Sequence, residues 1–409
     1  MDNSFQGKQN NARKAVTPPK YVKQVLIDLQ AHGYKAYLVG GCCRDMLLGV
    51  TPNDWDICTS ALPAEICSVF DSTVLTGAKH GTVTVIIGSH RVEVTTFRLE
   101  NTYSDHRHPD NVMFVADLTE DLKRRDFTMN AIAIPPDGFV SDPFGGRDDI
   151  RNRLIRCVGN PEERFEEDAL RMFRALRFSA RLGFDIEEKT YSAIEKKAAL
   201  ASELAPERIH DELEKILLTN RPEIIADAVS LGLLDRFIEC RNVCREKLKL
   251  LPTIPRKQLM RWSALCSVLM SSGCITDTKK FLGSLRSDRR TLSICNTAQR
   301  ILEGPIPGNP VEWKKLLSRY GRDAVSCASC GFDIVSGSES RAELRKVLKS
   351  GEPYSMADLA LNGDDLLAMG YRGKELGNML GFLLDYIISF PEYNKKDILI
   401  SLVQGISDD

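Results

Sequence analysis

Strand-like alternation ends abruptly at "DPFGG", residues 142–146. Before it, "KAYLV", "TVTVII" and "RVEVTTF" are short runs rich in Val, Ile and Thr, the pattern of half-buried strands. After it, apolar residues recur at helical spacing and strand-like runs become rare. That switch confines the chain to a mixed α and β head joined to a long helical remainder. A helix over 21–32 belongs to the head, carried by Val22, Val25, Leu26 and Leu29. Beyond the head, "PEERFEEDALRMFRALRFSARLGF" reads as one strong helix stopped at Gly183. "SELAPERIHDELEKILLTNRP" reads as another, with Pro206 near its start and Pro222 past its end. The spacing predicts a disordered arm 1–20, a head 21–150 and a long helical remainder with a boundary near residue 350.

Composition narrows the class. The 409 residues are 43% hydrophobic, enough for a sizeable core, and 55 basic residues meet 56 acidic ones for a net charge of −1. A nucleic-acid surface would therefore have to be local and offset by acid elsewhere. The first 20 residues are polar, and no apolar run approaches a membrane span, so a cytoplasmic address is expected. The 12 cysteines are scattered. Cys327-x-x-Cys330 lacks a second pair at zinc-ligand spacing, so reduced, mostly buried thiols are expected.

The chemistry concentrates in the head. In "YLVGGCCRDMLLG", Gly40 and Gly41 separate a strand from a helix, an arrangement that lets backbone N–H groups approach a phosphate. The Gly-x-Gly-x-x-Gly spacing of a dinucleotide loop is absent. Arg44 on the following turn is placed to pair with a phosphate. "PNDWDICTS" then offers Asp54 and Asp56. On a strand they would share a face, two hard oxygens suited to magnesium, with Trp55 opposite. Glu93 in "HRVEVTTFR" is either a solvent-facing strand residue or a third acid at that site. In "DLKRRDFTMNAIAI", Arg125 either holds a triphosphate or caps a buried helix.

Together these segments resemble the class II tRNA nucleotidyltransferase and poly(A) polymerase family. "LVGGCCRDMLLGVTPNDWDICT", "RRDFTMNAIA", "DPFGGRDDIRNRLIRCV", "EEDALRMFRALRFSARLGF" and "ERIHDELEKIL" look like that family's five motifs, in order. Beyond about residue 225 the likeness is weak, apart from "LNGDDLLAMGYRGKELGNML". The resemblance implies an α+β fold, a polymerase-β-like head 21–150 followed by an all-α neck 151–224, body 225–348 and tail 349–409. It implies that Asp54 and Asp56 hold Mg2+, and that the 3′ hydroxyl of a tRNA attacks the α-phosphate of CTP or ATP. It maps nucleotide binding onto Gly41, Arg44, Arg125, Asp168, Arg171, Arg174 and Arg177. Cys42 and Cys43 replace the usual residues before Arg44, and Trp55 replaces the commoner residue between the acids, without removing a functional group.

Asp168, Arg171, Arg174 and Arg177 are spaced by three, so on one helix Asp168 and Arg171 are neighbours while the later arginines spiral away. They are either a salt-bridged surface shared with Glu163, Glu166 and Glu167 or a base reader. An Asp acceptor beside an Arg donor matches the pairing edges of cytosine and adenine and mismatches uracil and guanine. Such a pair serves the addition of C, C and A without a template. Bacterial poly(A) polymerases of the family carry a basic extension, whereas this chain ends "LVQGISDD". CC-only relatives lack part of the segment between the first two motifs, whereas "ENTYSDHRHPDNVMFVADLTEDL" is uninterrupted. Complete CCA addition is therefore expected, with poly(A), CC-only or A-only addition as the alternatives. Two further classes compete: a non-catalytic RNA-binding relative and an enzyme acting on a small molecule.

None of the six histidines follows His210, so the His-Asp phosphohydrolase domain of some relatives is not expected, and "IHD" at 209–211 reads as a surface histidine. "YRGKELGNML" puts Arg372, Gly373 and Lys374 at a helix start, read either as a phosphate contact of the tail or as a solvated turn.

Overall fold

The computed structural model describes residues 16–77, 81–101 and 111–407. The chain forms two compact units, Met1–Leu204 and Ala205–Asp409. The division falls inside the expected neck 151–224.

In the first unit, α1 (Lys20–Ala31) leads into β1 (Ala36–Val39), α2 (Gly41–Leu47), β2 (Asp56–Thr59), α3 (Pro63–Val69), β3 (Thr73–Gly77), β4 (Thr82–Ile87) and β5 (His90–Thr96). β6 (Arg98–Asn101) and β7 (Asn111–Phe114) form a separate ribbon, followed by α4 (Leu118–Lys123) and β8 (Ala133–Ile134). The main sheet has the order β3-β4-β5-β2-β1-β8, with β2 and β5 parallel and the other neighbours antiparallel. Alternation builds it. Val83, Val85, Val92 and Val94 are fully buried on one face, which hands Thr84 and Glu93 to the other. Gly88, at φ +61°, opens the two-residue turn joining β4 to β5, a position that favours glycine.

Next come α5 (Gly146–Asn152), β9 (Leu154–Ile155), α6 (Pro161–Glu167), α7 (Leu170–Leu182), β10 (Asp185–Ile186) and α8 (Glu188–Lys197). The single helix expected over the fourth motif is thus two. Asp168 closes α6 in extended conformation, and its Oδ1 accepts the Leu170 N–H at the start of α7 (3.0 Å). The carboxylate satisfies a helix-end donor, so the chain can turn there despite good helix formers on both sides. Likewise, the buried helix weighed after Arg125 is a 3-10 turn, Thr128–Asn130, running into β8.

The second unit is helical: α9 (Pro206–Leu217), α10 (Ile225–Ser230), α11 (Arg245–Lys249), α12 (Gln258–Ser271), α13 (Thr278–Ser284), α14 (Arg289–Leu302), α15 (Pro310–Tyr320), α16 (Arg322–Ser336), α17 (Ser340–Ser350), α18 (Gly363–Ala368), α19 (Gly373–Ser389) and α20 (Lys396–Ser407). One apolar cluster packs α14 to α17 around Trp313, Val325, Ala328 and Leu344. A second joins α18 to α20 through Leu366, Leu383, Ile387, Leu399 and Val403. Between them, the buried Lys314 of α15 donates to the Ile388 carbonyl (2.8 Å) and to Glu352 (2.9 Å). His210 is not the surface residue expected: its ring stacks on the buried Trp262 at 4.8 Å between centroids. Cys327 and Cys330 are buried in α16, where burial pushes both thiols up, Cys330 to about 12. Among the described residues no helix is long and apolar enough to cross a membrane.

Candidate active site

Sheet register assembles the acids. Asp56 opens β2 beside Glu93 of β5, Glu93 faces Thr84 of β4, and Thr84 faces Val74 of β3. All four line a cleft of about 630 Å³ with Tyr21, Asn53, Asp54, Trp55 and Arg91. Asp54 stands in the bend before β2 rather than on the strand, so a turn and not strand alternation brings it to Asp56. Trp55, expected on the opposite side, is buried yet also lines the cleft. Burial, with the charges of Glu93 and Asp54, raises the Asp56 carboxyl above the usual range against the pull of Arg125. Among the described residues no group of three His, Cys, Asp or Glu side chains is already gathered at metal-ligand spacing.

Gly40, read from the sequence with Gly41 as the turn between strand and helix, lies against Arg125 and Asp56. Its φ is +76°, and a Cβ there would lie 3.0 Å from Arg125 Nη1 and 3.7 Å from Asp56 Oδ2. Gly41 begins α2, 3.5 Å from Arg44 Nη2 by the same measure. Arg125 donates to Asp121 Oδ2 (3.3 Å), while its Nε is buried with no partner among the described residues. Asp121, fully buried, also accepts from Arg124 Nε (3.0 Å) and Nη2 (2.8 Å). Burial works against the charged form of Asp121, but Arg124 and Arg125 outweigh it and hold the carboxyl low.

In the same unit an arginine cluster surrounds one ring. The guanidinium carbons of Arg44, Arg174 and Arg177 lie 5.2, 5.6 and 4.1 Å from the centroid of buried Phe178. Phe178 meets Phe127 edge-on at 5.7 Å. Arg44 is itself buried, giving Nε to Asp45 (2.8 Å) and Nη1 to Asn130 (2.8 Å). Arg174 grips Asp126 Oδ2 through Nε (2.8 Å) and Nη2 (2.5 Å). Against the cost of burial, Arg174 and the amide of Asn130 lower the Asp126 carboxyl to about 2. The sequence puts Phe178 one residue after Arg177 and one turn after Arg174 on an amphipathic helix, but nothing in it foretells Arg44 as the third neighbour.

Asp168 and Arg171 lie within one turn, the Arg171 N–H donating to the Asp168 carbonyl (3.0 Å). The Arg171 side chain donates to Glu167 (2.6 Å) and to the carbonyls of Arg164 (3.0 Å) and Arg124 (3.1 Å), which fixes its plane. Arg372, weighed as a phosphate contact, donates to the carbonyls of Leu367 and Tyr371. The "DHRHP" segment, 105–109, lies outside the described residues.

An α+β head carrying paired acids before a helical remainder defines a nucleotidyltransferase of the polymerase class, and the chain matches the models "Poly A polymerase head domain" over residues 36–156 and "Probable RNA and SrmB- binding site of polymerase A" over 183–241. Among curated relatives, the CCA-adding enzyme of Geobacillus sp. (strain WCH70) is 40% identical over 374 residues, covering 89% of this chain and 90% of that protein. That of Geobacillus stearothermophilus is 51% identical over 375 residues, with 89% and 90% covered. Among solved structures, the Bacillus stearothermophilus CCA-adding enzyme in complex with CTP superposes with a TM-score of 0.78 at 32% identity, covering 96% of this chain and 99% of that one. The chain belongs to the CCA-adding enzyme family.

Proposed function

We propose that this chain adds C, C and A to the 3′ end of tRNA from CTP and ATP, without a nucleic-acid template and with magnesium. Family membership supports the reaction, and the observation that carries the site is the convergence of Asp54, Asp56 and Glu93 on one open cleft. Carboxylates so arranged repel one another, and a hard divalent cation relieves the repulsion. Magnesium is ordinarily held by one or two carboxylates plus substrate phosphates, which fits Asp54 and Asp56 as its ligands with Glu93 as the third acid. When bound, it supplies charge neutralisation at the attacking 3′ oxygen, the α-phosphate and the departing pyrophosphate.

The chain's own residues bind and orient. Gly40 and Gly41 leave room for phosphate beside the α2 backbone. Arg125, whose Nη1 lies beside Gly40, puts a guanidinium at the same place, a group suited to an anionic acceptor. Arg44, Arg174 and Arg177 make the potential behind the nucleotide positive, tempered by Asp45 and Asp126. Asp168 and Arg171 present an acceptor and a donor to the base edge. Cytosine and adenine satisfy both, while uracil and guanine leave buried groups unpaired, which is the kind of mismatch that rejects strongly. In this reading 21–150 is the catalytic head, 151–224 the selecting neck, and the body 225–348 and tail 349–409 hold the tRNA. Twelve free cysteines suit a reducing cytoplasm.

The test is direct. The protein is incubated with tRNA ending at the discriminator base, magnesium, and CTP with or without ATP, and the 3′ ends are sequenced. CC from CTP alone and CCA from both are expected. Runs of A, or no extension, would sink the reading. Asp168→Ala is expected to admit UTP and GTP, and unchanged C and A selection would remove the base-reading role.

A further inference from the structure

Cys240 and Cys274 are 34 residues apart in sequence, one before α11 and one after α12, yet their sulfurs lie 3.1 Å apart. A disulfide requires about 2.05 Å, so the two have only about 1 Å to close. The approach does not depend on the thiols. The Glu239 N–H donates to the Cys274 carbonyl (2.7 Å), and the Cys244 N–H donates to Ser272 Oγ (3.1 Å). The Thr276 hydroxyl donates to the Glu239 carboxylate (2.8 Å). Both thiols also point at one acceptor, the Asn242 carbonyl, at 3.8 and 3.4 Å. Cys274 is fully buried, whereas Cys240 is half-buried and within reach of a small oxidant.

We propose that Cys240 and Cys274 are a modification site, a dithiol that hydrogen peroxide converts reversibly to a disulfide. The Cys240 thiolate attacks one peroxide oxygen. The O–O bond breaks, the sulfur keeps a hydroxyl, and the leaving hydroxide takes a proton to become water. The Cys274 sulfur then displaces that hydroxyl. The S–S bond forms, and the Cys274 proton leaves with the hydroxyl as a second water. Two thiols and one peroxide give one disulfide and two waters, with two electrons passing from sulfur to oxygen. Burial and the neighbouring Cys240 push the Cys274 thiol up to about 12, which suits the resolving rather than the attacking partner.

The full chain is treated with hydrogen peroxide, alkylated, digested without reduction and mapped by mass spectrometry. A Cys240–Cys274 linked peptide lacking two hydrogens is expected, reversed by dithiothreitol and accompanied by a rise of several degrees in melting temperature, since the bond closes a long loop. Cys240→Ser and Cys274→Ser each abolish the peptide, while Cys244→Ser leaves it. Mapping of the wild-type chain needs no variant to fold. A link to Cys244 instead, or Cys240 driven to sulfinic acid while Cys274 stays alkylatable, overturns the proposal.

Discussion

Asp126 and Phe178 show how single side chains set the charge of the candidate nucleotide site. Asp126 is nine-tenths buried, and Arg174 holds its carboxyl at about 2 against an ordinary 3.8. A depressed carboxyl contributes stability that is fully present above about pH 4 and is lost as pH falls through about 2. The shift corresponds to roughly 2 kcal/mol. Asp126→Asn is therefore expected to flatten the acid limb of stability between pH 4 and 2, read by urea melts at each pH. Phe178 offers its ring to three guanidiniums that would otherwise repel one another. Phe178→Leu keeps apolar volume but removes the ring's negative face, worth about 0.5–2 kcal/mol per cation. A raised KM for CTP and ATP is expected, with a smaller change in kcat and a melting temperature lowered by a few degrees, and Phe178→Tyr should restore KM. A lowered melting temperature with KM unchanged would mark Phe178 as core alone.

At the scale of elements, β1, β4, β5, α1 and α9 were legible from their composition and apolar spacing, and in α1, α9 and the middle of β4 and β5 burial follows that spacing. Two features of the site were not. "PNDWDICT" contains too little alternation to show where β2 begins, so the bend at Asp54 came from the sheet register and not from the local sequence. The break at Asp168 is hidden in good helix formers. It depends on Asp168 capping Leu170 and on Arg171 taking the carbonyls of Arg164 and Arg124, one of them far away in sequence. Glu93 could be placed on the strand but not toward Asp56, because only the parallel pairing of β2 with β5 decides that. Gly40, by contrast, sits at the strand-to-helix turn that the sequence does mark. Gly40→Ala adds a Cβ 3.0 Å from Arg125 Nη1 at a φ of +76°. A loss of about 1–3 kcal/mol in stability is expected from the backbone alone, measured by thermal melts. A displaced Arg125 would appear separately as a raised KM for the nucleotide.

At the scale of the whole molecule, the sequence reads a boundary near residue 350, and two apolar clusters lie in this part of the chain. One lies in α14 to α17 and the other in α18 to α20. Polar bonding does not respect that line, because Lys314 belongs to the first cluster's helix and finds both its partners, Glu352 and Ile388, beyond residue 350. Cutting the chain after Ser350 strands a buried ammonium, a loss of roughly 3–5 kcal/mol. The truncated chain is expected to melt well below the full one, and Lys314→Met is expected to recover part of the difference in the truncated chain. No recovery would place the loss in the apolar contacts. A tail tied to its neighbour in this way is a poor unit of exchange. Domain shuffling can move it only if a second change, a neutral residue at position 314, travels with it, so the two segments should be inherited as one.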